Sequence, residues 1–103
     1  MEKSDRYLEK DFMDEINILI SNEKYISDIK NNIANDEYLT KVHSLMKNYL
    51  DKGYEYQKMH EYLSTYMLKL REQNKEDEED LILEAITFLD GWCAPEKSLE
   101  KYK

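Results

Sequence analysis

Apolar residues recur at helical spacing along nearly the whole chain. Tyr7, Leu8, Phe12, Ile16, Leu19 and Ile20 follow steps of three and four, which places them on one stripe of a helix. Ser4 precedes an acidic turn and is the predicted N-cap. Ser21-Asn22 interrupts the pattern. Tyr25, Ile26, Ile29 and Ile33 form a shorter second stripe, ending among Asn31, Asn32 and Asn35, whose side chains compete with helical backbone bonds and favour ends. Asn35-Asp36-Glu37 opens a third helix carrying Tyr38, Leu39, Val42, Leu45, Met46, Tyr49 and Leu50, and Gly53 follows Lys52 where a left-handed terminating residue is expected. A fourth stripe holds Met59, Tyr62, Leu63, Tyr66, Met67 and Leu70, closed by Lys69 and Arg71. The polar stretch Glu72-Gln73-Asn74-Lys75 reads as a connection. The last stripe is Leu81, Ile82, Ala85, Phe88, Leu89 and Trp92, and Pro95 predicts that this helix stops near Cys93.

These spacings predict an all-α fold, a small antiparallel helical bundle of four long helices plus one short helix. Short connections make antiparallel neighbours the natural outcome. No Asn-Gly or Asp-Gly hairpin lies between alternating runs, and Asp90-Gly91 falls at the end of a helical stripe. At 103 residues the chain suits one domain. Residues 1–95 are expected to form it, and 96–103 to be a charged C-terminal tail, frayed or loosely packed. No stretch has the ~18 continuous apolar residues of a membrane helix, and the first residues carry no apolar core of a secretory signal. The expected location is cytoplasmic.

Composition narrows the chemistry. Gly is 2 and Pro is 1, too few for a loop-rich fold or a glycine-cradled nucleotide site. With Cys at 1, neither a disulfide framework nor a multi-cysteine zinc site can form within one chain. Asp+Glu 23 against Lys+Arg 15 gives a formal charge of −8. Such a surface repels nucleic-acid phosphate and anionic lipid and favours basic partners. The lysines Lys24, Lys30, Lys41, Lys47 and Lys58 are scattered singly, so neither direct nucleic-acid binding nor a membrane-surface helix is expected.

Three constellations are candidates for function. The acidic run Glu76, Asp77, Glu78, Glu79 and Asp80 opens the last helix, and from Glu72 to Lys103 there are 10 acids and 4 bases. The helix dipole accounts for two or three acids in a first turn. Five in succession repel one another at three- and four-residue spacing, so a solvated helix start and a docking site for a basic partner both stand. The run lacks the alternating ligands and central glycine of a calcium loop. Tyr54, Glu55 and Tyr56, just after Gly53, read as exposed aromatics beside an acid, an arrangement typical of interface hot spots. His43, His60 and Cys93 show no ligand or nucleophile spacing and read as structural. No metal, no cofactor and no enzymatic role are expected.

The segment from Asp80 to Glu96, with Asp90, Trp92, Pro95 and Glu96 at its close, resembles the closing helix of bacterial colicin-like immunity proteins. It departs from that pattern at Gly91 and in having its acidic run ahead of the helix. The resemblance implies an inhibitor that binds a nuclease toxin. The leading expectation is therefore an immunity protein or antitoxin that neutralises a cognate basic toxin, acting as a monomer or weak homodimer. The expected partner surface is Glu76, Asp77, Glu78, Glu79, Asp80, Tyr54, Glu55, Tyr56, Asp90 and Trp92. Two other classes fit the same composition: a phage-type nucleic-acid mimic such as an anti-CRISPR protein, with carboxylates in rows at phosphate spacing, and a plain helical adaptor docking through an apolar stripe.

Overall fold

The computed structural model describes residues 2–92 and 95–103, with side chains from Leu8 onward. Five α-helices follow one another: α1 (Glu2–Ile20), α2 (Glu23–Lys30), α3 (Asp36–Asp51), α4 (Tyr56–Glu72) and α5 (Glu76–Asp90). Two single 3-10 turns follow, at Pro95–Lys97 and Glu100–Tyr102. Four helices are long and α2 is short, and no strand occurs among the described residues. The predicted all-α bundle is what forms.

Helix ends follow local chemistry. The Asn22 side chain caps α2 by accepting from the Lys24 N–H at 2.9 Å. Asn32, Gly53, Asn74 and Gly91 all have positive φ. At each, the next residue's N–H reaches back to the last helical turn: Ile33 to Asp28 O, Tyr54 to Tyr49 O, Lys75 to Leu70 O and Trp92 to Thr87 O, at 2.8 to 3.0 Å. This pattern ends a helix by turning the chain through the left-handed region. It corrects three sequence expectations. α5 stops at Asp90, before any effect of Pro95. Trp92 leaves the apolar stripe and stands 80% exposed. Ile33, beyond the reversal at Asn32, is exposed rather than packed. The predicted N-cap Ser4 instead lies inside α1, which already runs from Glu2.

α5 packs against all four other helices and is the central element. Its buried set is Leu81, Ile82, Ala85, Ile86, Phe88 and Leu89. Arg71 meets Glu79, and His60 meets Asp90, so α4 and α5 run antiparallel. Tyr38 donates its hydroxyl to Leu81 O at 2.5 Å, and the His43 ring lies edge-on to Phe88 at 4.9 Å, so α3 and α5 run parallel. α1 lies antiparallel to α3, with Tyr49 donating to Glu15 at 2.5 Å and Phe12 packed on the Tyr49 ring. Phe12, Ile16, Tyr25, Tyr38, Val42, Met46, Met59 and Leu63 complete a core continuous with α5. The molecule is thin, 44 × 30 × 19 Å, about two helix diameters deep.

The C-terminal segment is not frayed. Leu99 is 1% exposed and its N–H bonds Phe88 O at 2.8 Å. His43 Nε2 is 2.9 Å from Lys97 O, and the Tyr102 hydroxyl donates to Asp51. One leucine docked over the end of α5 anchors a stretch whose composition is otherwise charged. The boundary expected at residue 95 is therefore not a packing boundary.

Candidate functional site

The acidic run occupies the first turn and a half of α5, and α2 and α4 flank it. On the α2 side Asp77 faces Lys30 at 3.9 Å. Further along that side, Asn35 donates to Glu84 at 2.9 Å. On the α4 side Arg71 donates from Nε to Glu79 Oε2 at 2.8 Å, and its Nη2 lies 2.7 Å from the same oxygen. The Lys30 and Arg71 pairs reach the run from two other helices, and they absorb two of its five charges. Glu78 is half-buried beside Tyr66 and its charge helps raise that phenol's pKa, second to burial.

Glu76 and Asp80 remain. Both are exposed, and neither meets a cation within 4 Å among the described residues. Partial desolvation, followed by the charges of Glu79, Asp77 and Glu76, holds the Asp80 carboxyl above its usual range. Glu84 is raised too, by burial first and also by Asp80, while its bond from Asn35 opposes the shift. The negative potential here is thus under-compensated by the protein itself.

Glu76, Asp80, Leu83 and Asp90 fall at steps of four, three and seven, so they share one outward ridge of α5. All four are exposed, Leu83 at 47%. Leu83 lies off the apolar stripe and was missed from sequence. Its signal was the same periodicity, which puts it about 100° or more from most of its buried neighbours. At the far end of the ridge Asp90 meets His60 Nε2 at 2.8 Å, and Trp92 projects just beyond. His60 itself stacks on Tyr56 and lies 3.4 Å from the Ser64 hydroxyl. His43 and His60 each join one element to another, and Cys93 lies outside the described residues.

The Tyr54-Glu55-Tyr56 cluster is corrected. Tyr54 is 4% exposed, with its ring against Phe12, and Tyr56 is buried and donates its hydroxyl to Leu89 O. The turn after Gly53 folds both rings inward, so they seal the bundle end instead of presenting an aromatic patch. Only Glu55 of the three faces solvent, 3.8 Å from Lys58. This cluster adjoins the C-terminal end of α5, whereas the acidic run occupies the N-terminal end, about 20 Å away along the helix. The ten residues expected to form one surface therefore divide. Glu76, Asp80, Asp90 and Trp92 remain outward on or beside α5, Asp77, Glu78 and Glu79 are partly covered, Glu55 is exposed apart from them, and Tyr54 and Tyr56 are core.

Among the described residues no group of three or more His, Cys, Asp or Glu side chains is placed to hold a metal, and no helix is long and apolar enough to cross a membrane. Comparison of the chain with protein-family models, with curated proteins and with solved structures finds no match.

Proposed function

We propose that this chain is an inhibitor protein of the immunity or antitoxin kind, which captures a basic protein toxin, a nuclease being the class whose cleft must be cationic to hold phosphate. The observation that supports this reading is the outward ridge of α5. Glu76 and Asp80 carry charge that no lysine or arginine among the described residues meets within 4 Å, Leu83 is an exposed apolar contact between acids, and Trp92 stands at the ridge's end. Complementary charge accelerates encounter with a basic partner. A large ring and a leucine, desolvated on contact, slow its release.

The test is a growth-rescue experiment. The toxic product of a reading frame adjacent to this one is co-expressed with the chain, and the two are then co-purified. Rescue with a stoichiometric complex that weakens as salt rises is the expected result, and Glu76→Lys/Asp80→Lys abolishes both while the helical circular dichroism stays intact. Rescue that survives the double charge reversal and Trp92→Ala overturns the proposal.

A further inference from the structure

A second surface has the opposite chemistry. α1 is not among the close-packed neighbours of α4, and a crevice of about 340 Å³ opens between the two helices and the turn before α5. Tyr62, Tyr66 and Lys69 line it from α4, Asn17 from α1, and Gln73 and Lys75 from the turn. Tyr62, Tyr66 and Lys69 recur at four and three, one face of the helix, and α1 meets this face at the Tyr62 end, where the Phe12 ring lies edge-on to Tyr62 at 6.1 Å, without packing closely along the rest of it.

The polar groups here are donors in excess. The hydroxyls of Tyr25, Tyr38, Tyr49, Tyr56 and Tyr102 each have a protein acceptor. Those of Tyr62 and Tyr66 have none among the described residues. Lys24, Lys30, Lys41, Lys47 and Lys58 each lie within 4 Å of a carboxylate. Lys69 and Lys75 have no such partner among the described residues, as is also true of Lys10, Lys52, Lys97, Lys101 and Lys103, but only these two line this crevice. The two phenol rings lie 5.7 Å apart and tilted by 49°, forming a half-buried aromatic wall. A cleft of this size accepts a small organic molecule, and one walled by rings and rich in unpaired donors selects a flat ligand with acceptor atoms.

We propose that this crevice binds a small aromatic anion, with its ring against Tyr62 and Tyr66 and its anionic head, a carboxylate or phosphate, between Lys69 and Lys75. This site is separate from the α5 ridge and stands or falls independently of it.

The experiment is an amide NMR titration of the full chain with benzoate, with adenosine monophosphate and with inorganic phosphate at low salt. Saturable shifts at Asn17, Tyr66, Lys69 and Lys75 with half-saturation near ~1 mM are expected for benzoate or for the nucleotide, and whichever binds more tightly identifies the head group. Lys69→Gln/Lys75→Gln, both at exposed positions, weakens binding about tenfold with the helical signal unchanged, and Tyr66→Ala weakens it as well. Absence of saturation, shifts mapping elsewhere, inorganic phosphate binding as tightly as the aromatic probes, or affinity unaltered in the double lysine variant each overturn the proposal.

Discussion

The Tyr54 hydroxyl is buried and has no hydrogen-bond partner among the described residues. Burial is the main cause raising this phenol's pKa, followed by the charge of Glu9. Taking an unpaired hydroxyl out of water costs about 1–3 kcal/mol in proteins. Tyr54→Phe keeps the ring in its edge contact with Phe12, 5.5 Å between centroids, and removes only the orphaned group. It therefore stabilises the fold by about 1 kcal/mol, the lower bound, because nearby groups relax toward the hydroxyl. Tyr38→Phe is the matched control of opposite sign. It deletes a buried bond to Leu81 O and destabilises by about 1 kcal/mol. In a domain of this size 1 kcal/mol moves Tm by about 4–8 °C, so the two variants should separate by roughly 8–16 °C. Thermal unfolding followed by circular dichroism, with urea unfolding as a check on slope, measures the separation. A Tm for Tyr54→Phe at or below that of the parent refutes the reasoning. Because Tyr54 is core, the same variant should also leave partner capture unchanged, which an exposed hot spot would not permit.

Further outcomes follow from other contacts. Leu99→Ala removes a side chain that is 1% exposed and should cost about 2–3 kcal/mol in chemical denaturation, whereas a frayed tail would give no change. Gly91→Ala places a side chain at φ 77°, and because the group its Cβ meets is the mobile end of Glu100, the cost should be the backbone strain alone, about 1 kcal/mol. Asp80→Asn should raise Tm at neutral pH. The folded-state Asp80 pKa is raised above its unfolded value, so the ionised group opposes folding at high pH and this penalty disappears as pH falls through the raised pKa. The parent's Tm deficit relative to Asp80→Asn should therefore shrink on acidification, and a deficit that grows would contradict the assignment.

Much of the architecture is legible in the chain because a helix writes its buried face as a repeat of three and four. The stripes of α1, α3, α4 and α5 locate Phe12, Ile16, Val42, Met46, Met59, Leu63, Leu81 and Leu89 in the core, where they are. What periodicity does not encode is a reversal of the chain. Trp92 and Ile33 continue the arithmetic of their stripes, but left-handed turns at Gly91 and Asn32 carry them out to solvent. Tyr54 follows a glycine and has polar neighbours, which suggests exposure, yet a hydrogen bond from its own N–H to Tyr49 O folds the turn back over the core. The acidic run looks uncompensated in one dimension because its partners, Lys30 and Arg71, belong to other helices. The α1–α4 crevice is not legible although Tyr62, Tyr66 and Lys69 share one face, since a stripe of rings reads as core and only the structure shows that α1 covers Tyr62 with Phe12 but does not close over the rest.

α5 is the common neighbour of every other helix and comes after them in the chain. During synthesis, α1 can pair with α3 before α5 exists, whereas α2 and α4 hold apolar faces without their main counterpart. The core closes only when residues 76–90 fold back on α4 and meet the other helices. The nascent chain is accordingly vulnerable to proteases and to self-association until that last long helix has left the ribosome.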